Sequence, residues 1–221
     1  MRHEIVVFLG PSLDVEAAGQ LLNAEFRPPA KRGDITDAVT DGARIITLID
    51  GVFFQDCSVG HREILSALMG GVRVIGASSM GALRAAELDT LGMEGVGAIY
   101  RFYRDGILTS DDEVALVYDP ETFLALSEPL INIRCTIRAA KEEGILRPES
   151  ADLLETIAMS LYFPDRTWEG ICREAGGRIL SGELQGFRDY LETSPVDQKK
   201  IDAVSALART KELAEELGIS G

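Results

Sequence analysis

Residues Val72–Glu87 read VRVIGASSMGALRAAE. A β-branched run ends in small residues and passes at once into strong helix formers, the pattern of a buried strand, a sharp turn and a helix. Two upstream segments repeat its first half. Glu4–Leu9 (EIVVFL) closes on Gly10-Pro11-Ser12, and Arg44–Ile49 (RIITLI) closes on Asp50-Gly51. Short continuous apolar runs bounded by turn residues suit parallel strands covered on both faces. Helical spacing lies between and after them, at Asp14–Leu22, His61–Met69 and Met80–Leu88. The alternation predicts an α/β architecture, a small mostly parallel sheet flanked by helices. Ala98–Arg104 reads as a further helix and Val114–Tyr118 as a candidate fourth strand.

Beyond Asp119-Pro120 the texture changes. Glu121–Leu126, Ile131–Glu143, Ser150–Leu161, Thr167–Ala175 and Gln198–Leu217 place apolar residues at helical spacing, with Pro129, Pro148, Pro164 and Pro195 marking breaks. The expected organisation is therefore an α/β core over residues 1–120 and an all-helical region over 121–221 packed on it. The last helix, of mixed charge, is expected to pack against its own region.

The formal charge is −14, and both parts contribute: 17 acids against 10 bases up to Tyr118, and 19 against 12 after it. Such a surface repels a phosphate backbone and an anionic bilayer, so neither nucleic acid nor membrane is an expected partner. Cys57, Cys135 and Cys172 are odd in number and never form C-x-x-C, which speaks against a disulfide framework or a zinc site. Ile5–Leu9 is too short for a signal or membrane segment, and a cytoplasmic protein is expected. Ser110-Asp111-Asp112-Glu113 could gather a metal, but S-x-x-E also fits a capping box or a solvated turn. No metal or cofactor is expected.

Within Val72–Glu87 the chemistry falls on Ser79. A serine at a sharp strand-to-helix turn resembles a nucleophile elbow, and the unpaired N–H groups of a helix head, here Met80 and Gly81, stabilise a developing oxyanion. Small neighbours (Ala77, Ser78, Gly81) admit a carbonyl. The G-x-S-x-G pattern is not met, since Ala77 stands where its first glycine would. A plain helix N-cap at Ser78 or Ser79, or an anion site, explains the same residues. A base is needed. His3 lies at the terminus; His61 opens a helix near Asp50 and Glu63. Lys31 is the only lysine among the first 118 residues, in the loop RPPAKRGD (Arg27–Asp34), and a lysine can become a general base where an arginine cannot.

Read together, Gly10–Leu13 (GPSL), Lys31–Asp34 (KRGD), Ile49–Phe53 (IDGVF), Ser58–Leu65 (SVGHREIL), Gly76–Leu88 (GASSMGALRAAEL), Gly95–Tyr100 (GVGAIY), Arg104–Leu108 (RDGIL) and Asp111–Ala115 (DDEVA) resemble the TfuA family. The resemblance runs in order over about residues 4–120, and Pro129–Arg134 (PLINIR) continues it more weakly. It implies a protein acting beside a YcaO enzyme, which activates a backbone amide of a peptide or protein substrate so that sulfur replaces oxygen. It further implies hydrolysis of the C-terminal thiocarboxylate of a ThiS-like sulfur-carrier protein through a Ser–Lys pair, which maps by motif to Ser79 and Lys31. Supporting or substrate-binding roles then fall to Ser78, Arg84, His61, Asp50, Glu87, Gly10 and Ser12, although Arg84 and Glu87, one helical turn apart, equally suit an ion pair. Two other readings stand beside the hydrolase: a non-catalytic adaptor that brings the peptide substrate to YcaO, and a nucleotide or phosphate binder using Gly10–Leu13 and the Ser79 helix head.

Overall fold

A computed structural model describes residues 3–53 and 57–219. Five short parallel strands form one sheet: β1 (Ile5–Phe8), β2 (Glu25–Arg27), β3 (Ile45–Leu48), β4 (Arg73–Ala77) and β5 (Glu94–Val96), in the order β2-β1-β3-β4-β5. The three predicted strands form its centre, with Phe8 beside Leu48 and Leu48 beside Gly76. The two edge strands, β2 and β5, escape sequence reading because each has three residues, only half-buried.

Alternation along the strands decides which helix covers which face. Ile5, Val7, Ile45, Ile49 and Ile75 pack with Ala18 and Leu22 of helix α1 (Val15–Leu21) and its end, and with Ala203, Ala206, Leu207 and Leu213 of helix α10 (Gln198–Glu216). On that face Thr47 meets Thr210, oxygen to oxygen at 2.6 Å. Gly76, on the opposite face, lies against helix α4 (Met80–Leu88), whose Gly81 carbonyl and Ala85 methyl approach it closely. Helices α2 (Asp34–Asp41), α3 (His61–Met69) and α5 (Ala98–Arg104) complete the β-α alternation.

Chain contacts divide the molecule into two units, one running to Asp111 and resumed at Lys199, the other spanning Asp112–Gln198. The expected boundary at 120 thus falls earlier, and the last helix belongs with the sheet, where its alanine-rich stripe is buried. The second unit is all-helical: α6 (Leu130–Glu142), α7 (Pro148–Ser160), α8 (Trp168–Glu174) and α9 (Ser181–Thr193), around Ile133, Ile137, Leu154, Ile171 and Phe187. Two expected elements there do not form. Val114–Tyr118 forms no strand among the described residues; Tyr118 and Ala125 make an isolated bridge. Glu121–Leu126 is not a helix because the Asp119 carboxylate accepts the N–H groups of Glu121 and Thr122 and turns the chain. Two of the three acids of 110–113 serve as ion-pair partners: Glu113 is held by both ends of the Arg134 fork at 3.0 Å, and Asp112 pairs with the buried Arg166.

One carboxylate in this unit is unfavourably placed. Desolvation, reinforced by Asp197, raises the Glu128 carboxyl above its ordinary range. A carboxyl raised in the folded state binds its proton more tightly there, so stability falls as pH rises through that group's titration. Glu128→Gln is expected to raise the melting temperature by about 2–4 °C at pH 7, and the gain is expected to shrink towards pH 4, where the native side chain is protonated. Thermal melts of both proteins at the two pH values check this.

Candidate functional site

The strand order places a topological switch between β1 and β3, whose connections leave in opposite directions along the sheet. Ligands of open α/β sheets bind outside the carboxyl ends of the strands at such a point. The chain puts polar residues there. Ser12 follows β1, Asp50 follows β3 and Ser78 follows β4, at 2%, 2% and 0% exposure.

Asp50 is the hub. One carboxylate oxygen accepts the N–H groups of Gly10 and Ser12 at 2.9 and 3.0 Å, and the other accepts the Ser12 hydroxyl at 2.7 Å. The Ser78 hydroxyl bonds in turn to Ser12 Oγ at 2.9 Å. Lys199, from the first turn of α10 and equally buried, brings its ammonium Nζ to 3.9 Å from Asp50 Oδ1. Gly10, Ser12, Asp50 and Ser78 are thus brought together as supporting residues, and Lys199 joins them unforeseen.

The turn itself has a specific geometry. Ser79 N–H donates to the Ala77 carbonyl at 2.8 Å, closing a three-residue γ-turn whose middle residue, Ser78, has φ = 65°. A left-handed non-glycine residue costs about 1–3 kcal/mol and persists where the surroundings over-determine it, commonly at active sites. The sequence reading gave the elbow position to Ser79; the backbone gives it to Ser78. Ser79 is the N-cap residue of α4, but its side chain makes no capping hydrogen bond. Ser79 is 2% exposed, as buried as Ser12 and Asp50.

Of the two expected oxyanion donors, Gly81 N–H is already committed to the Ile49 carbonyl at 3.2 Å. Met80 N–H, at the first helical position, has no acceptor within the helix. Met80 also lines a cleft of about 480 Å³ with Phe53, Ser58, Leu83, Arg84 and Glu87. The cleft's polar wall is internally paired. Glu87 accepts Arg84 at 2.6 Å and lies 2.7 Å from His61 Nε2, while Arg84 Nε donates to the Val59 carbonyl. Arg84 and Glu87 therefore form the ion pair that their spacing allows, and His61 joins them rather than either serine.

Lys31 stands apart from this cluster. Its loop is pinned to the same end of the sheet, since Ala30 exchanges backbone hydrogen bonds with Asp50 and Val52 at 2.9 Å. The Lys31 N–H donates to Asp34, its side chain is exposed, and no hydrogen bond among the described residues joins it to Ser79.

Lys199 was hidden by its element. A lysine in a charged amphipathic helix ordinarily faces water. The signal was its phase: Lys199 and Asp202 share the stripe of Ala203, Ala206, Leu207 and Thr210, and Asp202 is spent accepting the Ala98 and Ile99 N–H groups at the head of α5.

Comparison with curated proteins finds no match. A family model described as TfuA-like protein matches residues 50–167, more than half of the chain. It spans Asp50, His61, the Ser78–Ser79 turn, Arg84 and Glu87, and the chain belongs to the TfuA-like family.

Proposed function

We propose that the protein supplies sulfide to a YcaO enzyme by hydrolysing the C-terminal thiocarboxylate of a ThiS-like carrier protein, with a serine of the α4 turn as nucleophile and a lysine as its partner. Membership of the TfuA-like family is consistent with work beside a YcaO enzyme. The observation that carries the chemistry is Ser78, a left-handed serine before a helix head, hydrogen-bonded into a buried polar chain that ends at Lys199. Ser78 attacks the thiocarboxylate carbon, and the helix head with its Met80 N–H balances the charge that builds on oxygen. Hydrosulfide is a far better leaving group than an amine, so the site needs less acid assistance than peptide cleavage does. The burial of Ser78 means that docking of the carrier tail must part its surroundings, which also excludes water before acyl transfer.

A second assignment of the pair, Ser79 with Lys31, is favoured by the Ser79 side chain, which makes no capping hydrogen bond and directly precedes the cleft residue Met80. The test is sulfide release from a thiocarboxylated carrier. Wild type is expected to release it, Ser78→Ala to lose about 10³-fold or more, and Ser79→Ala and Lys31→Arg to stay active. Loss in those two with Ser78→Ala active assigns the second pair. Wild type that releases no sulfide, while thioamidation by YcaO still requires it, sinks the hydrolase and leaves the adaptor.

A further inference from the structure

Asp50 and Ser12 join Lys199 to Ser78. The direction of the protons in that chain follows from valence. An ionised carboxylate only accepts, and a serine hydroxyl has one proton to give. Asp50 takes two backbone N–H groups on one oxygen and has the Lys199 ammonium 3.9 Å from the other, so donors surround it and it stands as the acceptor. The single Ser12 proton is therefore spent on Asp50 at 2.7 Å, and Ser78 must be the donor in its 2.9 Å contact with Ser12. The Ser78 proton points along a wire to a carboxylate, and its lone pairs are left for an electrophile.

We propose that Ser12 and Asp50 are positioning residues that carry the Ser78 proton, with Lys199 beside Asp50; the inference rests on the hydrolase reading with Ser78 as nucleophile and adds the route of the proton to it. As Ser78 Oγ bonds to the thiocarboxylate carbon, the carbonyl π pair moves onto oxygen, the Ser78 proton passes to Ser12 Oγ, and the Ser12 proton passes to Asp50 Oδ1. On collapse the C–S bond pair leaves with sulfur. Asp50 returns a proton to Ser12, Ser12 hands one to the departing sulfur, and hydrosulfide departs. Water then adds to the ester carbon, the bond from that carbon to Ser78 Oγ breaks with its pair left on Oγ, one water proton goes to Oγ, and the acid product loses its proton to solvent. No oxidant, reductant or metal enters the balance. A two-proton wire also explains why three residues from three different strand ends are held within hydrogen-bonding distance where no solvent reaches them.

The experiment uses the full chain and two readouts. The first is the rate at which a fluorophosphonate, which reacts with activated serine hydroxyls, labels the protein, with the labelled residue mapped by peptide mass spectrometry. The second is single-turnover sulfide release in mixtures of light and heavy water. Label is expected on Ser78. Ser12→Ala is expected to slow labelling and release by about 10²-fold, and Ser12→Thr, which restores a hydroxyl, to recover them to within about threefold. The rate is expected to curve with deuterium fraction in wild type, two protons being in flight, and to become linear in Ser12→Ala. Melting curves of the variants separate loss of the wire from loss of fold. Labelling of Ser78 as fast in Ser12→Ala as in wild type, or a linear wild-type profile, overturns the wire and leaves the hydrolase reading standing. Ser12-dependent labelling without any sulfide release does the reverse. No label on Ser78 overturns its activation altogether.

Discussion

Gly81→Ala is expected to leave little or no folded protein. An added Cβ would lie 1.7 Å from the Leu48 carbonyl oxygen and 2.6 Å from its carbon, both backbone atoms of the central strand β3. No rotamer relieves such an overlap, so helix and strand would have to separate by more than an ångström. The separation would break the Gly81–Ile49 hydrogen bond and displace Asp50, the next residue, from the donors that surround it. Nor can the helix slide along the sheet freely, because Gly76 of β4 fits against the Gly81 carbonyl with no room for a side chain either. Overpacking of this kind, combined with loss of a buried hydrogen bond, belongs to the class of substitutions that exceed about 4–5 kcal/mol, a large part of the stability of a domain this size. The counterpart is Gly19→Ala in α1, where nothing lies within 4 Å of the new methyl; it is expected to stabilise by about 0.5–1 kcal/mol through helix propensity. Soluble yield and thermal melts of the two variants make the comparison. A Gly81→Ala protein melting within a few degrees of wild type contradicts the close approach.

Gly81 also shows how far residues can be read without coordinates. Its place in S-M-G-A-L marked it as important, and the reason given was room for a substrate and an N–H for an oxyanion. Its N–H and its missing side chain instead serve helix–strand contact, a tertiary property that no local pattern encodes. The same limit separates Ser78 from Ser79. Both precede a strong helix former and both are small, and only the backbone conformation places φ = 65° on the first. By contrast, three central strands and eight of the helices were legible because each repeats its apolar residues at the period of the structure it forms. The elements missed were those with little period to show: three-residue edge strands, α2 of only eight residues and α9 with its two glycines.

The site divides along the same line. Asp50, Ser12 and Ser78 were visible as turn residues at strand ends, because parallel strands deliver their C-termini to one edge. Their partner on α10 was not, since about 120 residues separate Ser78 from Lys199 and a second unit lies between them in the sequence. Long-range pairing of this kind leaves only the faint mark of a charge on an apolar stripe.

Lys199 and Asp50 are expected to be strongly coupled in stability. Each is about 2% exposed, and a cation and an anion buried together are costly to separate, because whichever remains has lost water without keeping its counterion. Lys199→Met removes the charge, nearly conserves the apolar stem and is expected to cost about 3–5 kcal/mol. Asp50→Asn is expected to cost a comparable amount by a second route: with its amide oxygen kept on the Gly10 and Ser12 N–H groups, its amide nitrogen would face the Lys199 ammonium, setting donor against cation where an anion stood. In the double variant the ammonium that the amide nitrogen would face is gone as well, so the combined loss is expected to fall short of the sum by about 1–3 kcal/mol. Denaturant titrations of the four proteins close this cycle. Losses that simply add would show that the 3.9 Å approach carries no interaction, and Lys199 would then have to be regarded as a helix residue that happens to face the sheet. A shortfall of the expected size would establish the pair as the anchor by which the last helix of the chain holds the carboxylate beneath Ser78.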